Sequence, residues 1–149
     1  HCANQGAIAL LAHLFIYKQS IYYWSLILNN IILHKKKKIE YIYRNKEIDW
    51  VFEKFQIGHF FKGKISGAEL KESKPNPEIF NLALEISGYP KENCIVVEDS
   101  TNGILAAHRA GIFCVAYKSQ HSKNQDYTLS NMIVEDFLDI LPEKMKNIG

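Results

Sequence analysis

Ile95-Val96-Val97 is an apolar run that closes in two adjacent carboxylates, Glu98-Asp99, with a helical pattern over Thr101–Ala110 directly behind it. Gly111 stops that helix, and residues 112–117 are apolar again. An apolar run of strand length, a crossover helix and a second such run constrain a chain more than any single residue does. Strands joined in this way lie parallel and need cover on both faces. The alternation extends upstream. Residues 39–43 alternate as a strand does, 47–55 place Ile48, Val51, Phe52 and Phe55 at helical spacing, and 61–66 read as a short strand ending at Gly67. Asn76 as cap, Pro77 in the first helical position and Glu78 beside it predict a helix from there to Ile86, closed by Gly88-Tyr89-Pro90. A last short helix is predicted over 136–141. The pattern is that of an α/β fold, a three-layer parallel sheet of the Rossmann type.

The first third departs from this pattern. Residues 1–38 hold five lysines and no carboxylate, whereas the remainder holds 13 basic and 16 acidic residues. The chain therefore divides into an atypical apolar and basic amino-terminal segment, 1–37, and a core, 38–149. Net charge over all 149 residues is only +2, which provides no strong field for nucleic acid, and no nucleic-acid partner is expected. Residues 7–16 and 21–33 are apolar, separated by Lys18-Gln19-Ser20 and followed by Lys35-Lys36-Lys37-Lys38. Together they have the length and basic flank of a membrane span. Lys18 and Asn29-Asn30 are expensive in hydrocarbon, so a membrane location is not the expectation. Leu26-Ile27-Leu28 and Ile31-Ile32-Leu33, flanking Asn29-Asn30, also read as a hairpin. The expected arrangement is a helix over 7–16 and a soluble insertion after it.

Cys2, Cys94 and Cys114 are odd in number and lack zinc-ligand spacing. Cys94 and Cys114 adjoin apolar runs, so both are expected to be buried free thiols, in keeping with a reducing cytoplasm. None of the six histidines has ligand spacing, and His13 and His108 are expected on a helix face or the surface, with Arg109 solvated.

Chemistry concentrates at two places. In parallel α/β sheets ligands bind beyond the carboxyl ends of the strands. Glu98 and Asp99 fall there, and paired carboxylates near water suit Mg²⁺, a hard cation that takes oxygen ligands. The competing reading is that Asp99 or Ser100 caps the next helix. The second place is Lys74-Pro75-Asn76-Pro77, where two prolines hold a lysine on a stiff turn. An ammonium fixed beside a metal-binding acid pair would neutralise a phosphate, although a lysine in a turn is commonly just solvated.

Three stretches carry a resemblance: Ser66-Gly67-Ala68-Glu69-Leu70, Ser73-Lys74-Pro75-Asn76-Pro77-Glu78-Ile79-Phe80, and Val96-Val97-Glu98-Asp99-Ser100 with Asn102-Gly103. In this order and spacing they resemble the haloacid dehalogenase superfamily, and within it the β-phosphoglucomutase-like phosphatases and sugar phosphomutases. The likeness covers residues 38–118. It implies Mg²⁺-assisted transfer of a phosphoryl group to an aspartate after the first core strand, with a second aspartate two residues on as general acid and base. It further implies a serine or threonine and a lysine that hold the phosphate, and an acidic pair that completes the metal site. Carried onto this chain, Lys74 is the catalytic, phosphate-holding lysine and Glu98 and Asp99 are the metal-binding acids. Tyr43 stands where the serine or threonine belongs, and Asn45 is a further candidate phosphate donor.

The chain departs from the family in two respects. No Asp-x-Asp follows an apolar strand, and a cap domain is absent. The implied fold is thus truncated, without the family's own first core strand, which belongs between the strand ending at Tyr43 and the one ending at Glu98. Leaving that place empty would set two unpaired sheet edges face to face. Part of 7–33 is therefore expected to fill the gap; otherwise the chain folds poorly. The functional expectation is an incomplete and by itself inactive form of a Mg²⁺-dependent phosphatase or phosphomutase for a phosphorylated small molecule, a sugar phosphate. The alternatives are a non-catalytic relic of the fold, either a binding protein or a degenerate product, and a membrane-anchored α/β domain.

Overall fold

The computed structural model describes residues 9–13, 39–42, 49, 52–54, 56, 58, 61–65, 70–118 and 123–140. Six strands form one sheet: β1 (Ala9–His13), β2 (Ile39–Ile42), β3 (Phe61–Ile65), β4 (Cys94–Glu98), β5 (Phe113–Tyr117) and β6 (Met132–Val134). Their order is β3-β2-β1-β4-β5-β6, and every pairing is parallel. Two α-helices are described along their length, α1 (Glu78–Ser87) and α2 (Thr101–Ala110), with 3-10 turns at Lys91–Asn93 and Phe137–Ile140; residues 49 and 52–54, within the stretch 47–55 expected to be helical, are helical as well.

β1 decides the architecture. It pairs with β2 through Leu11–Glu40, Ala12–Tyr41 and His13–Ile42, and with β4 from Ala9–Cys94 to Ala12–Val97. The amino-terminal segment thus fills the central place, as expected of some part of 7–33. The expected helix over 7–16 is overturned, since Ala9–His13 is a strand and His13 ends it. A run as apolar as Ala-Leu-Leu-Ala suits either structure, and two waiting strand edges outweigh intrinsic helix propensity. The hairpin around Asn29-Asn30 lies outside the described residues. Among the described residues, no helix is long and apolar enough to cross a membrane.

All five residues of β4 are buried, as befits a strand covered on both faces. On one face Cys94 and Val96 join Cys114 and Ala116 of β5 and Ile65 of β3 beneath α1 and α2, which supply Ile79, Phe80, Ala83, Ile104, Ala106 and Ala107. Val97, Val115 and Val134 are buried as well and alternate with these along their strands. Phe80 is fully enclosed, and such burial contributes about 1.5–3 kcal/mol per large apolar side chain.

Helix ends follow local chemistry with one correction. Pro77 is the cap position of α1, one residue later than expected, while Asn76 Oδ1 still accepts the Glu78 amide at 2.9 Å. Gly88 and Gly111 close α1 and α2 at φ 67° and 68°, the left-handed conformation that glycine adopts without steric cost. β6 and the 3-10 turn at Lys91–Asn93 add to the sequence expectations. The expected last helix is instead the 3-10 turn at Phe137–Ile140.

Candidate functional site

From β1 the chain steps outward to β2 and β3; from β4 it steps outward the other way to β5 and β6. The order reverses between β1 and β4, and the crevice beyond such a reversal is where open α/β sheets bind ligands. β4 delivers Glu98 and Asp99 to that place. β1 delivers His13, one step beyond the Ala12–Val97 pair and so level with Glu98.

Glu98 is 1% exposed, yet it carries a carboxylate. The Lys74 ammonium donates to its Oε1, and the Ser100 hydroxyl donates to Oε2 at 3.2 Å. A carboxylate buried in this way requires a counter-ion and satisfied oxygens. Lys74 is therefore neither solvated nor distant: its ammonium is seated on Glu98 and lies 5.1 Å from the centroid of the Phe80 ring. A network of short-range bonds holds its turn. The Glu78 carboxylate accepts the backbone amides of Lys71 and Glu72, and Asn76 Nδ2 donates to Glu72 Oε2 at 2.7 Å. The Lys74–Pro75 peptide is cis. Arg109, expected to be solvated, is exposed but donates to the Pro75 carbonyl at 2.9 Å, tying the last turn of α2 to the Lys74 turn.

Asp99 is 5% exposed. The capping role that competed for it belongs to Ser100, whose hydroxyl accepts the Gly103 amide at 3.1 Å. Helix capping therefore explains Ser100 and leaves Asp99 to be explained by another role. Gln125 and Asp126 lie against the start of α2: Gln125 Oε1 accepts both the amide and the hydroxyl of Thr101, and the Asp126 amide donates to Thr101 Oγ1. Burial, and next the Asp99 charge, push the Tyr127 phenol upward in pKa. Sequence reasoning missed Gln125 and Tyr127, because a polar stretch without periodicity gives no sign of where it docks. The Cys114 thiol, beneath the pair, is pushed from 9.0 to about 12 by burial first and by Glu98 second, with Lys74 opposing.

The structure thus brings Lys74, from one stretch of the sequence, onto Glu98 of the adjacent pair Glu98-Asp99 in another. Tyr43 and Asn45 lie outside the described residues. Among the described residues no three His, Cys, Asp or Glu side chains converge as a ready-made metal cluster.

A six-stranded parallel sheet with an acid pair and a seated lysine at its reversal point defines an α/β fold with a charged crevice, and comparison with known proteins gives its family. Residues 43–117 match the model of the haloacid dehalogenase-like hydrolases, and the chain belongs to that family. A CBBY-like protein of Arabidopsis thaliana is 36% identical over 70 residues, 47% of this chain and 22% of that protein. A phosphoglycolate phosphatase of Pseudomonas fluorescens is 29% identical over 115 residues, 74% of this chain and 42% of that protein. The chain therefore spans less than half the length of these two relatives. Among solved structures, a beta-phosphoglucomutase from Clostridium difficile superposes with a TM-score of 0.65 at 22% identity, covering 83% of this chain and 53% of that one. CbbY from Rhodobacter sphaeroides, solved with xylulose-1,5-bisphosphate, gives 0.67 at 20% identity over 77% and 53%. These two likenesses establish the fold.

Proposed function

We propose that the carboxyl ends of β1 and β4 form the phosphate- and Mg²⁺-binding part of a phosphatase or phosphomutase site for a phosphorylated small molecule, with sugar phosphates as the substrate class. The observation that carries this reading is the Lys74 ammonium held on buried Glu98 next to Asp99, at the reversal point of the sheet. Relatives named for phosphoglycolate support a phosphorylated small molecule, and a neighbour solved with a sugar bisphosphate supports sugar phosphates among these.

The donor set fits Mg²⁺. It consists of carboxylate oxygens, and Mg²⁺ is commonly held by one or two carboxylates plus waters. Both Glu98 oxygens already accept from Lys74 and Ser100, so Asp99 is the direct ligand and Glu98 supports it. When bound, Mg²⁺ supplies charge neutralisation at a phosphoryl oxygen. Lys74 holds the phosphate: an ammonium has three N–H groups, and one is given to Glu98. The buried free thiols Cys94 and Cys114 fit a reducing compartment, and the cytoplasm is the proposed location.

One observation favours a binding role for this chain taken alone. The resemblance implies an aspartate after the first core strand, whereas the strand in that place reads Ala-Leu-Leu-Ala-His and is followed in sequence by Leu14-Phe15-Ile16. We accordingly expect phosphate and Mg²⁺ to bind without phosphoryl transfer. The test is titration of the chain with inorganic phosphate and Mg²⁺, run beside an assay for hydrolysis of an aryl phosphate. Binding that is weakened about tenfold or more by Lys74→Ala or Asp99→Ala, without turnover, supports the reading. Turnover lost in both variants would refute the inactivity, and absence of any phosphate or metal binding would refute the site.

A further inference from the structure

We infer that Gly103 is a positioning residue for Lys74: the side chain it lacks is the space in which the Glu98 carboxylate sits, and that carboxylate sets where the ammonium stands. The inference rests on the reading of Lys74 as the phosphate-holding group, and it adds a residue that neither capping nor metal binding requires.

Gly103 lies in the first turn of α2 and is buried. Alanine is the better helix former, so a glycine here works against the helix. Its φ is not among the positive values, which belong to Gly88 and Gly111 alone among the described glycines, so no special backbone conformation calls for it. Space does. A Cβ built on Gly103 would stand 2.0 Å from Glu98 Oε2, 2.1 Å from Cδ and 2.6 Å from Oε1. Real Cβ atoms essentially never approach other atoms so closely, so the carboxylate would have to shift, and with it the bonds it accepts from Lys74 and Ser100.

The consequence reaches Lys74 through bonds already described. The Gly103 amide donates to Ser100 Oγ, the Ser100 hydroxyl donates to Glu98 Oε2, and the ammonium donates to Oε1. Backbone amide, hydroxyl, carboxylate and ammonium thus form one connected line from the start of α2 to the Lys74 turn. A methyl group at 103 would displace the third member, and the ammonium would follow its partner or lose it. Lys74 cannot be held elsewhere at equal benefit, because its turn is itself fixed by Glu78 and Arg109.

The experiment is a double-mutant cycle on the chain, comprising the natural protein, Gly103→Ala, Glu98→Ala and the two together. Thermal midpoint is one readout and the dissociation constant for inorganic phosphate the other. Gly103→Ala is expected to lower the midpoint in the natural background and to raise it when Glu98 is Ala, because only helix propensity then remains. It is also expected to weaken phosphate about tenfold, as does Lys74→Met, with partial recovery when the acid is shortened in Gly103→Ala/Glu98→Asp. The inference is overturned if Gly103→Ala lowers the midpoint equally in both backgrounds, raises it in the natural one, or leaves phosphate affinity unchanged. If the natural chain binds no phosphate, the functional reading fails, while the sign of the thermal cycle still decides whether Gly103 is the seat of Glu98.

Discussion

Single residues at the carboxyl end of β4 carry opposite loads. Glu98 is charged and enclosed, Asp99 is enclosed beside it, and Cys114 lies below as a thiol kept protonated by burial and by the Glu98 charge. The native thiol holds its proton more tightly than the unfolded one. Its contribution to stability is therefore complete below about pH 9 and is lost as pH rises toward 12. We expect an alkaline loss of stability that is reduced in Cys114→Ala, measured by denaturant titration between pH 8 and 11. We also expect native Cys114 to resist alkylation at neutral pH and to react once the chain is unfolded, because the thiolate is the reactive form. Ready alkylation of the folded protein at Cys114 would contradict the burial described.

At the scale of elements, helices α1 and α2 differ in how they start. α1 begins behind Pro77 with help from Asn76, whereas α2 begins at Ser100, whose hydroxyl accepts the Gly103 amide and donates to Glu98. Removing a cap of this kind typically costs about 1 kcal/mol. Ser100→Ala is expected to cost more than that, up to about 3 kcal/mol, because a buried carboxylate oxygen loses its donor at the same time. Ser100→Thr, which keeps the hydroxyl, should recover most of the loss, and chemical denaturation of the three proteins measures both. Equal stabilities for Ser100→Ala and Ser100→Thr would show that the hydroxyl contributes nothing.

For the whole molecule, the decisive contact is β1 between β2 and β4. Without it the sheet would divide into a two-stranded piece, β3-β2, and a three-stranded piece, β4-β5-β6, with facing open edges. Hydrogen exchange should find the Val96 and Val97 amides among the slowest in a monomeric chain. Leu11→Pro removes one amide donor from a central strand, where proline is not tolerated. It is expected to abolish that protection and to promote aggregation, as read by exchange and by light scattering. Undiminished protection in Leu11→Pro would mean that β1 does not hold the sheet together.

The parallel α/β fold was legible because its cause is local and repeated. Apolar runs of strand length alternate with helices whose ends are marked by Asn76-Pro77, Gly88 and Gly111, and each signal lies within a few residues of what it specifies. Lys74, Glu98 and Asp99 could be singled out for a related reason, since a proline-flanked turn and a strand end carry them in a recognisable order, and the structure seats Lys74 on Glu98. What the sequence could not determine is where Ala9–His13 would go. Four apolar residues followed by a histidine satisfy a helix face as well as a strand, and a strand's partners are chosen by edges that exist only once the rest of the sheet has formed. The seat that Gly103 makes for Glu98, and the bond from Arg109 to Pro75, are likewise properties of tertiary structure. They depend on distances between atoms separated along the chain, and residue identity alone does not fix such distances.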